Sequence, residues 1–376
     1  MEKWKTITEG ETKLFIPKEG VFGENLKGRE KKAPVFYNPK MELNRSLCCA
    51  VLKELSKEEE PIFADLLAGS GAKGIRIANE TKAKVILNDA NPEAHAAIEK
   101  NAKLNKLEVE TSNLEANQFL QENFHNFDFI DIDPFGTPTP FLDNAIMTLK
   151  KDGSLGVTAT DTAPLCGVYP TACYRKYNAI PLRSKFCHET ALRILIGHIA
   201  RTAGKYSKGI EIQLSYYKEH YLRVYARFIK GREQANTTLE NLGYVYYCRK
   251  CLQREHEKTP LPTNKKCKCG SKYAVAGPLW LGSINNKNFL KGVLEKSRYL
   301  ESPSLDNLLT QLIEEETAPF YFDTHKVAKE LHIELKTMEK IIENLKKDGF
   351  KTTRTHFSPT SIKTTAGIEE IKKAFK

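Results

Sequence analysis

Residues 127–138 contain an apolar run with three aspartates, the last of which begins the turn sequence Asp133-Pro134-Phe135-Gly136. The run predicts a buried strand, and the proline and glycine predict a turn at its carboxyl end. In an open α/β sheet, ligands bind beyond the carboxyl ends of the strands. Asp133 therefore offers a carboxylate to a substrate, and Phe135 offers a flat apolar ring. Together they suit a planar base that carries an amino group, although an ordinary proline turn is the plainer alternative.

Length and charge narrow the class of protein. A chain of 376 residues has room for two or three domains, and 58 basic against 47 acidic residues give a formal net charge of +11. This balance favours a polyanionic partner. The sequence contains no apolar run of membrane-spanning length and begins without a secretory signal, so we expect no membrane partner. Nine cysteines, four of them with metal-ligand spacing, predict a protein of the reducing cytoplasm.

Residues 61–76 predict the first unit of a nucleotide-binding α/β sheet. A short apolar strand leads into a glycine-rich turn and then into an amphipathic helix. A second strand over 84–88 is followed by Asp89, about twenty residues after the loop, where a carboxylate commonly holds ribose hydroxyls. Asn91 and Pro92 then predict the capped start of a helix.

The remaining α/β elements follow the same alternation. A third strand is predicted over 108–111, followed by a polar turn at 115–117 where an adenine edge could be read. A fifth strand is predicted over 153–160, and two alternating strands over 209–216 and 221–228 predict an antiparallel hairpin that would close the sheet. Helices are predicted over 44–55, 92–104, 139–149 and 188–203.

Four cysteines predict a structural metal centre. Cys248, Cys251, Cys267 and Cys269 form two closely spaced pairs, which suit one tetrahedral zinc ion. Four thiolates leave no open coordination position, so the ion is expected to be structural. The other cysteines are interpreted as packing residues, and they stand at positions 48, 49, 166, 173 and 187.

The C-terminal part predicts a separate module. Helices over 323–331 and 335–347 precede a basic hairpin over 350–365, an order typical of winged-helix folds. We therefore predict a methyltransferase-like domain over 1–232, a zinc-binding knuckle region over 233–285 and a winged-helix-like, nucleic-acid-contacting domain over 286–376.

The order of these signals carries a family resemblance. A glycine loop, acids after strands two and three, and Asp-Pro-Phe after strand four resemble the S-adenosylmethionine methyltransferase fold, a Rossmann-like α/β sheet. The chain also resembles the tRNA guanine-26 N2-dimethyltransferase family in its archaeal form. The motifs that carry this resemblance are, in chain order, residues 35–39 with Asn44-Arg45, residues 131–138, residues 220–224 and the four-cysteine knuckle. The resemblance covers nearly the whole chain. It implies methyl transfer from S-adenosylmethionine to the exocyclic N2 of guanine-26 in tRNA, giving mono- and dimethylguanosine.

The resemblance also implies roles for individual residues. Asp133 and the Pro134 carbonyl would hold the reacting amine, and Phe36 and Phe135 would sandwich the base. The expected cofactor-binding residues are Arg45 at the carboxylate, Asp89 at the ribose, Glu115 and Ala116 at the adenine, with Asp65 and Arg76 beside the loop. The loop itself, residues 68–73, departs from the alanine-threonine-glycine-arginine pattern of much of the family, and Arg76 is our choice for its basic residue.

Two other functions compete with this interpretation. One is a methyltransferase that acts on adenine in DNA or on ribosomal RNA, against which the zinc knuckle and C-terminal module argue. The other is a nucleic-acid-binding protein without activity, against which the joint presence of Asp89, Asp133 and the glycine loop argues. We expect tRNA as the partner and a monomeric enzyme.

Overall fold

A computed structural model describes residues 4–18, 35–56, 60–259 and 265–375. The chain divides into two compact units. The first consists of Met1–Pro134, Pro140–Val157 and Asn288–Leu309, and the second of Phe135–Thr139, Thr158–Lys287 and Thr310–Lys376. The predicted turn at 133–136 therefore supplies residues to both units.

The first unit begins with a hairpin that the sequence did not predict. Strands β1 (Trp4–Glu9) and β2 (Thr12–Pro17) pair antiparallel, with Glu9 opposite Thr12. Gly10 in the turn has φ +54°, a conformation that glycine adopts at little cost. The hairpin brings Glu9 into the buried interior, where it is 3% exposed.

Five parallel strands form the sheet of the first unit. They are β3 (Ile62–Asp65), β4 (Lys84–Asn88), β5 (Glu110–Ser112), β6 (Phe127–Ile132) and β7 (Leu149–Ala159). Their order is β5-β4-β3-β6-β7, and β7 continues for its last two residues into the second unit. The predicted strand over 127–132 is confirmed, and its apolar residues are buried as in parallel sheets covered on both faces.

Helices connect these strands. They are α1 (Glu42–Ser56), α2 (Ala72–Glu80), α3 (Pro92–Leu104), α4 (Ala116–Glu122) and α5 (Thr139–Thr148), with a 3-10 turn at Pro39–Met41. The predicted cap of α3 is confirmed, because the Asn91 side chain accepts from the Glu93 amide. The polar turn predicted at 115–117 is instead the capped start of α4.

The second unit contains the predicted helix and hairpin. Its elements up to residue 239 are α6 (Thr162–Leu165), α7 (Pro170–Tyr177), α8 (Cys187–Lys205), β8 (Lys208–Lys218), β9 (Tyr221–Lys230) and α9 (Arg232–Leu239). Strands β8 and β9 pair antiparallel, with Lys218 opposite Tyr221 across the turn. The antiparallel hairpin is thus confirmed, with longer strands than the sequence predicted.

A small antiparallel sheet carries the cysteine turns. Strands β10 (Leu242–Tyr247), β11 (Arg254–Glu257) and β12 (Ala274–Trp280) have the order β11-β10-β12. Two helices follow, α10 (Lys287–Ser297) and α11 (Pro303–Glu314), with a 3-10 turn at Arg298–Leu300 between them. Both helices are additions to the elements that the sequence predicted.

The C-terminal segment has the predicted order of helix, helix and hairpin. Its elements are β13 (Phe322–Asp323), α12 (Thr324–Leu331), α13 (Met338–Lys347), β14 (Thr352–Thr355), β15 (Ser358–Thr364) and α14 (Ile368–Ala374). The strands form an antiparallel sheet in the order β13-β15-β14. Helix α13 begins at Met338 rather than at the predicted residue 335, because the Thr337 hydroxyl caps it.

A buried carboxylate joins this segment to α8 within the second unit. Glu189 is fully buried and accepts the backbone N–H groups of Phe320 and Tyr321 at 2.9 and 3.1 Å. The Lys363 amine on β15 lies 3.2 Å from the same carboxylate. Burial alone would raise the pKa of Glu189, but the charges of Lys363 and Arg193 hold it below its ordinary value. Residues 310–375 therefore share a core with α8.

Among the helices of the described residues, none combines the length and the apolar character needed to cross a membrane.

Candidate active site

A cluster of two carboxylates and one amine lies at the carboxyl end of β6. Asp131 is the buried fifth residue of that strand, and Asp133 follows its end. Lys73 on α2 reaches both, with its Nζ 2.6 Å from Asp133 Oδ2 and in an ion pair with Asp131. The Asp133 side chain is 21% exposed, whereas those of Lys73 and Asp131 are 7% and 0% exposed. Asp133 is therefore the carboxylate of this group that a substrate can reach.

A third carboxylate, Asp65, ends the neighbouring strand β3. It accepts the Gly74 backbone N–H at 3.1 Å and is 2% exposed. Burial raises the pKa of Asp65 from its ordinary 3.8 to about 7, and Lys73 acts in the opposite direction while Asp131 and Asp133 raise it further. The cluster thus combines one cation with three acids, and burial raises the pKa of one of these acids, Asp65.

The glycine-rich loop passes close to the segment that carries Phe36. The Ser70 amide donates to the Phe36 carbonyl at 3.2 Å, and a side chain at Gly69 would place its Cβ 3.2 Å from the same oxygen. Gly69 also has φ +56°. Glycine is favoured at this position, because both the close approach and the left-handed backbone disfavour any larger residue.

The side chains after β4 brace the loops at this edge. Asp89 accepts the Gly69 amide through Oδ2 at 2.7 Å and the Asn91 amide through Oδ1 at 2.9 Å. Asn88, which the sequence analysis missed, is fully buried and donates through Nδ2 to the carbonyls of Leu66 and Leu114. Its side-chain oxygen accepts the Leu114 amide. A buried asparagine at the end of a strand was the signal that could have revealed it.

Glu115 and Ala116 begin α4 at the same end of the sheet. The Glu115 carboxylate accepts the backbone N–H groups of Asn117 and Gln118 at 2.8 and 3.2 Å, and its residue is exposed. Ala116 is buried. The helix cap thus fixes the backbone of the turn at which an adenine edge was expected.

The two predicted arginines converge on Glu9 rather than on the Lys73 cluster. Arg45 donates through Nε and Nη2 to the Glu9 carboxylate, at 2.8 and 2.5 Å, and lies over the Tyr37 ring. Burial alone would raise the pKa of Glu9, but the hydrogen bonds and charge of Arg45 lower it below its ordinary value. Arg45 is therefore held in one position by the β1–β2 hairpin.

Arg76 does not belong to the Lys73 cluster. It is fully buried, and its guanidinium donates to Glu80 at 2.9 and 3.0 Å and to the Ser46 hydroxyl at 2.8 Å. Lys73, three residues earlier on α2, is the basic residue that the structure brings to the strand ends. Arg76, the residue chosen from the sequence, therefore lies on the face of α2 that packs inside the unit.

Both predicted stacking rings are exposed. Phe36 in the first unit is 45% exposed, and Phe135 in the second is 76% exposed. Within the second unit, the turn that carries Phe135 is anchored by Thr160: its hydroxyl accepts the Gly136 amide at 2.7 Å, and its amide donates to the Gly136 carbonyl at 3.0 Å. Large exposed rings on anchored backbone are suited to bind a planar ligand.

The four predicted cysteines converge on one point. The Sγ atoms of Cys248, Cys251, Cys267 and Cys269 lie within 4.8 Å of one another, with Cys248–Cys269 and Cys251–Cys267 both at 3.4 Å. Tetrahedral coordination with zinc–sulfur bonds of about 2.3 Å places sulfurs about 3.8 Å apart, so the spacing fits such an ion. A second group, Cys166, Cys187 and His188, also has its possible ligand atoms within 4.8 Å, whereas the sequence analysis interpreted both of these cysteines as packing residues.

A parallel sheet with a glycine loop, acids beyond its strands and an exposed ring after Asp-Pro defines an α/β methyltransferase. The family model described as "TRM: N2,N2-dimethylguanosine tRNA methyltransferase" matches residues 10–376. The tRNA (guanine(26)-N(2))-dimethyltransferase of Methanobrevibacter smithii is 40% identical, over 100% of this chain and 97% of that protein. The enzyme of the same name from Pyrococcus furiosus is 41% identical, over 96% of each.

A solved structure agrees over the same length. The complex of Trm1 from Pyrococcus horikoshii with S-adenosyl-L-methionine superposes with a TM-score of 0.87 at 38% identity, and the match covers 98% of this chain and 99% of that one. The chain belongs to the N2,N2-dimethylguanosine tRNA methyltransferase family.

Proposed function

We propose that this chain transfers methyl groups from S-adenosylmethionine to the exocyclic N2 of guanine-26 in tRNA, giving N2-methyl- and N2,N2-dimethylguanosine. The observation that carries the proposal is the partly exposed Asp133 carboxylate, held by Lys73 at 2.6 Å, two residues before the exposed Phe135 ring. A carboxylate followed two residues later by an exposed aromatic ring suits the amine edge and the flat face of a guanine. The names of the relatives, all aligned over nearly their full length, support the same substrate.

The described residues fit the cofactor. When bound, S-adenosylmethionine supplies an electrophilic methyl group on a sulfonium. Asp89 would hold the ribose hydroxyls, Glu115 and Ala116 the adenine, and Arg45 the carboxylate, while Asp65 supports the loop through the Gly74 amide. In support, the Gly69 amide and the α4 cap already fix the backbone around these positions. We assign the basic position on α2 to Lys73 in place of Arg76.

Asp133 and Pro134 would act on the reacting amine. The N2 lone pair of guanine is delocalised into the ring, so the nitrogen attacks only when its hydrogens are held and its geometry can pyramidalise. The Asp133 carboxylate would accept one N–H and the Pro134 carbonyl the other, which aims the lone pair at the methyl group. If Asp133 also takes the proton, base catalysis contributes a factor of about 10² to 10⁴.

The rings of Phe36 and Phe135 would bind the guanine after it has left the base stack of the tRNA. Unstacking the guanine costs a few kcal/mol, and each aromatic stack returns about 1 to 3 kcal/mol. Stacking also excludes water from the amine. The second methylation would use the same contacts, because a monomethylated amine keeps one N–H for the Asp133 carboxylate.

The second unit would supply metal binding and further contacts with tRNA. We assign zinc to the four cysteines, which suit a closed structural site. The order of α12, α13 and the β14–β15 hairpin supports a winged-helix-like module. The proposed knuckle region, residues 233–285, contains the small sheet β10–β12 and the four cysteines. The proposed location is the reducing cytoplasm, where cysteine thiolates remain available as metal ligands.

The test is methyl transfer by Asp133→Asn. The variant keeps the size of the side chain but loses a carboxylate oxygen, so we expect the single-turnover rate with labelled S-adenosylmethionine and an unmodified tRNA transcript to fall by about 10² or more, with tRNA affinity retained. Asp128→Asn is the matched control, since Asp128 lies on the same strand and its amide oxygen can still accept the Ile62 N–H. A wild-type rate for Asp133→Asn would remove Asp133 from the mechanism. Label in another nucleic acid but not in tRNA would keep the methyltransferase and reject the substrate.

A further inference from the structure

Large exposed side chains are concentrated in and beside α7 in the second unit. Of the nine large hydrophobic side chains exposed in the described part of the chain, four lie within residues 168–180. Tyr169 and Tyr174 are 61% and 60% exposed, and Val168 and Ile180 are 47% and 50% exposed. We use the name α7 face for three exposed residues of this segment, Tyr169 at the N-cap of α7 and Tyr174 and Arg175 in its last turn. Such clustering is unusual for side chains that serve only the fold.

The backbone beneath the α7 face is anchored. Cys173 and Tyr177 on the same helix are fully buried, so one side of α7 packs inside the unit while the other is exposed. Beyond the helix, Ile180 exchanges two backbone hydrogen bonds with Gly277, at 2.8 and 2.9 Å. The exposed rings therefore stand on a fixed support, and a ligand would bind them with little loss of chain entropy.

The charge of this segment selects the kind of ligand. Residues 162–188 contain no aspartate or glutamate but four basic residues, namely Arg175, Lys176, Arg183 and Lys185. Lys176 is paired with Asp161 at 2.9 Å, while Arg175, Arg183 and Lys185 are exposed. Exposed rings among cations match a nucleic acid strand, whose bases stack and whose phosphates are negative.

Contacts within the second unit tie α7 to the turn that carries Phe135. The Tyr177 hydroxyl donates to Asp161 at 2.6 Å and is also hydrogen-bonded to Thr137, two residues after Phe135. Burial and the neighbouring Asp161 raise the pKa of Tyr177 well above its ordinary value, so the hydroxyl keeps its proton. Tyr174 lies about one helical turn from Tyr177, roughly 5 Å along the axis.

We infer that the α7 face binds unpaired nucleotides of the tRNA next to the guanosine that reacts. Bases stack on Tyr169 and Tyr174, and Arg175 contacts a phosphate. This inference rests on the proposed function, and it adds a second set of base contacts beyond the residues that hold the guanine. Stacking on tyrosine accepts any base, so the α7 face would recognise an unstacked strand rather than a sequence.

The experiment measures binding of the full chain to fluorescent tRNA without cofactor. The double variant Y169A/Y174A removes both rings, and we expect its affinity for tRNA to fall about tenfold or more. Y169F/Y174F keeps the rings and loses only the hydroxyls, so it should bind within about threefold of wild type. Phe124→Ala is the matched control, because Phe124 is 54% exposed in the first unit. Arg175→Ala should lower the salt dependence of binding by about one counterion.

A fully paired RNA duplex of similar length distinguishes stacking from general attraction. The double alanine variant should bind this duplex as well as wild type does, because paired bases offer no free faces. Wild-type affinity of the double variant for tRNA would overturn the inference, and so would an equal loss on the duplex. Methyl transfer by the wild-type chain is measured separately, so a failure of the proposed function shows there and not in the binding comparison.

Discussion

Replacing Lys73 by methionine removes the ammonium group that Asp131 and Asp133 share. The methionine side chain fills similar space, so the loss is mainly electrostatic. Removing one partner of a buried ion pair costs about 3 to 5 kcal/mol, because the other charge stays buried without compensation. Lys73 and Asp131 are 7% and 0% exposed, which places the pair in that class. For a folding unit of 150 to 250 residues this corresponds to a fall in Tm of roughly 6 to 20 °C.

The loss of stability caused by Lys73→Met should increase with pH. The pKa of Asp65 in the folded chain is about 7, above its ordinary 3.8. A carboxyl group whose pKa is higher in the folded chain than in the unfolded chain stabilises the fold at low pH. This contribution is lost as the pH rises from the unfolded pKa through the folded pKa. Lys73 lowers the pKa of Asp65, so its removal raises that pKa further and deepens the loss at high pH. The difference in Tm between wild type and Lys73→Met should therefore widen from pH 4.5 to pH 8.5.

Thermal unfolding followed by circular dichroism across this pH range measures the difference. Lys150→Met is the control, because the Lys150 amine also lies 2.8 Å from an aspartate on β6, yet both side chains of that pair are more than one third exposed. Exposed pairs contribute about 0 to 1 kcal/mol, so this variant should change little at any pH. Lys73→Arg should keep most of the stability. A difference for Lys73→Met that stays constant or narrows toward high pH would refute the electrostatic account.

Two further predictions concern the second unit. Lys363→Met should lower the free energy of unfolding by about 3 to 5 kcal/mol, because Glu189 and Glu315 would stay buried without the amine that they share and Glu189 would keep only Arg193 as a cationic partner. Lys326→Met should lower it by less than about 1 kcal/mol, because that pair lies at the surface. Equal Tm values for the two variants would contradict the role given to the buried carboxylate. Cys248→Ser should lose bound zinc in elemental analysis and unfold its knuckle, since such ions contribute about 10 to 16 kcal/mol to small zinc domains, whereas Cys49→Ala should keep the metal. A wild-type chain that unfolds at the same temperature before and after a chelator has removed its metal would reject the zinc assignment.

Local signals predicted the parts of the fold that depend on neighbouring residues. The strand over 127–132 followed from its apolar run, and the start of α3 followed from Asn91 and Pro92. The cysteine pairs predicted their own convergence, because two turns of fixed geometry place each pair at adjacent corners. These features are encoded within a few residues, so the sequence alone was sufficient to find them.

Other features depend on contacts that are distant in sequence. Lys73 and Arg76 are three residues apart on one amphipathic helix, and sequence could not tell which of them reaches the strand ends. Arg76 is held away from the strand ends by ion pairs with Glu9 and Glu80. Glu9 lies on a hairpin that the sequence did not predict. Likewise, the buried role of Glu189 depends on Lys363 in a segment that was interpreted as a separate module.

The buried carboxylate on α8 has a consequence for how the chain is made. A ribosome that adds about 5 to 20 residues per second needs roughly 10 to 35 seconds to travel from Glu189 to Lys363. During that interval α8 can form its own hydrogen bonds. Glu189, however, lacks both the backbone N–H groups of Phe320 and Tyr321 and the amine of Lys363. The second unit therefore cannot reach its final packing in the order of synthesis. A nascent chain that stops short of β15 would therefore leave this part of the core unfinished and accessible to chaperones and proteases.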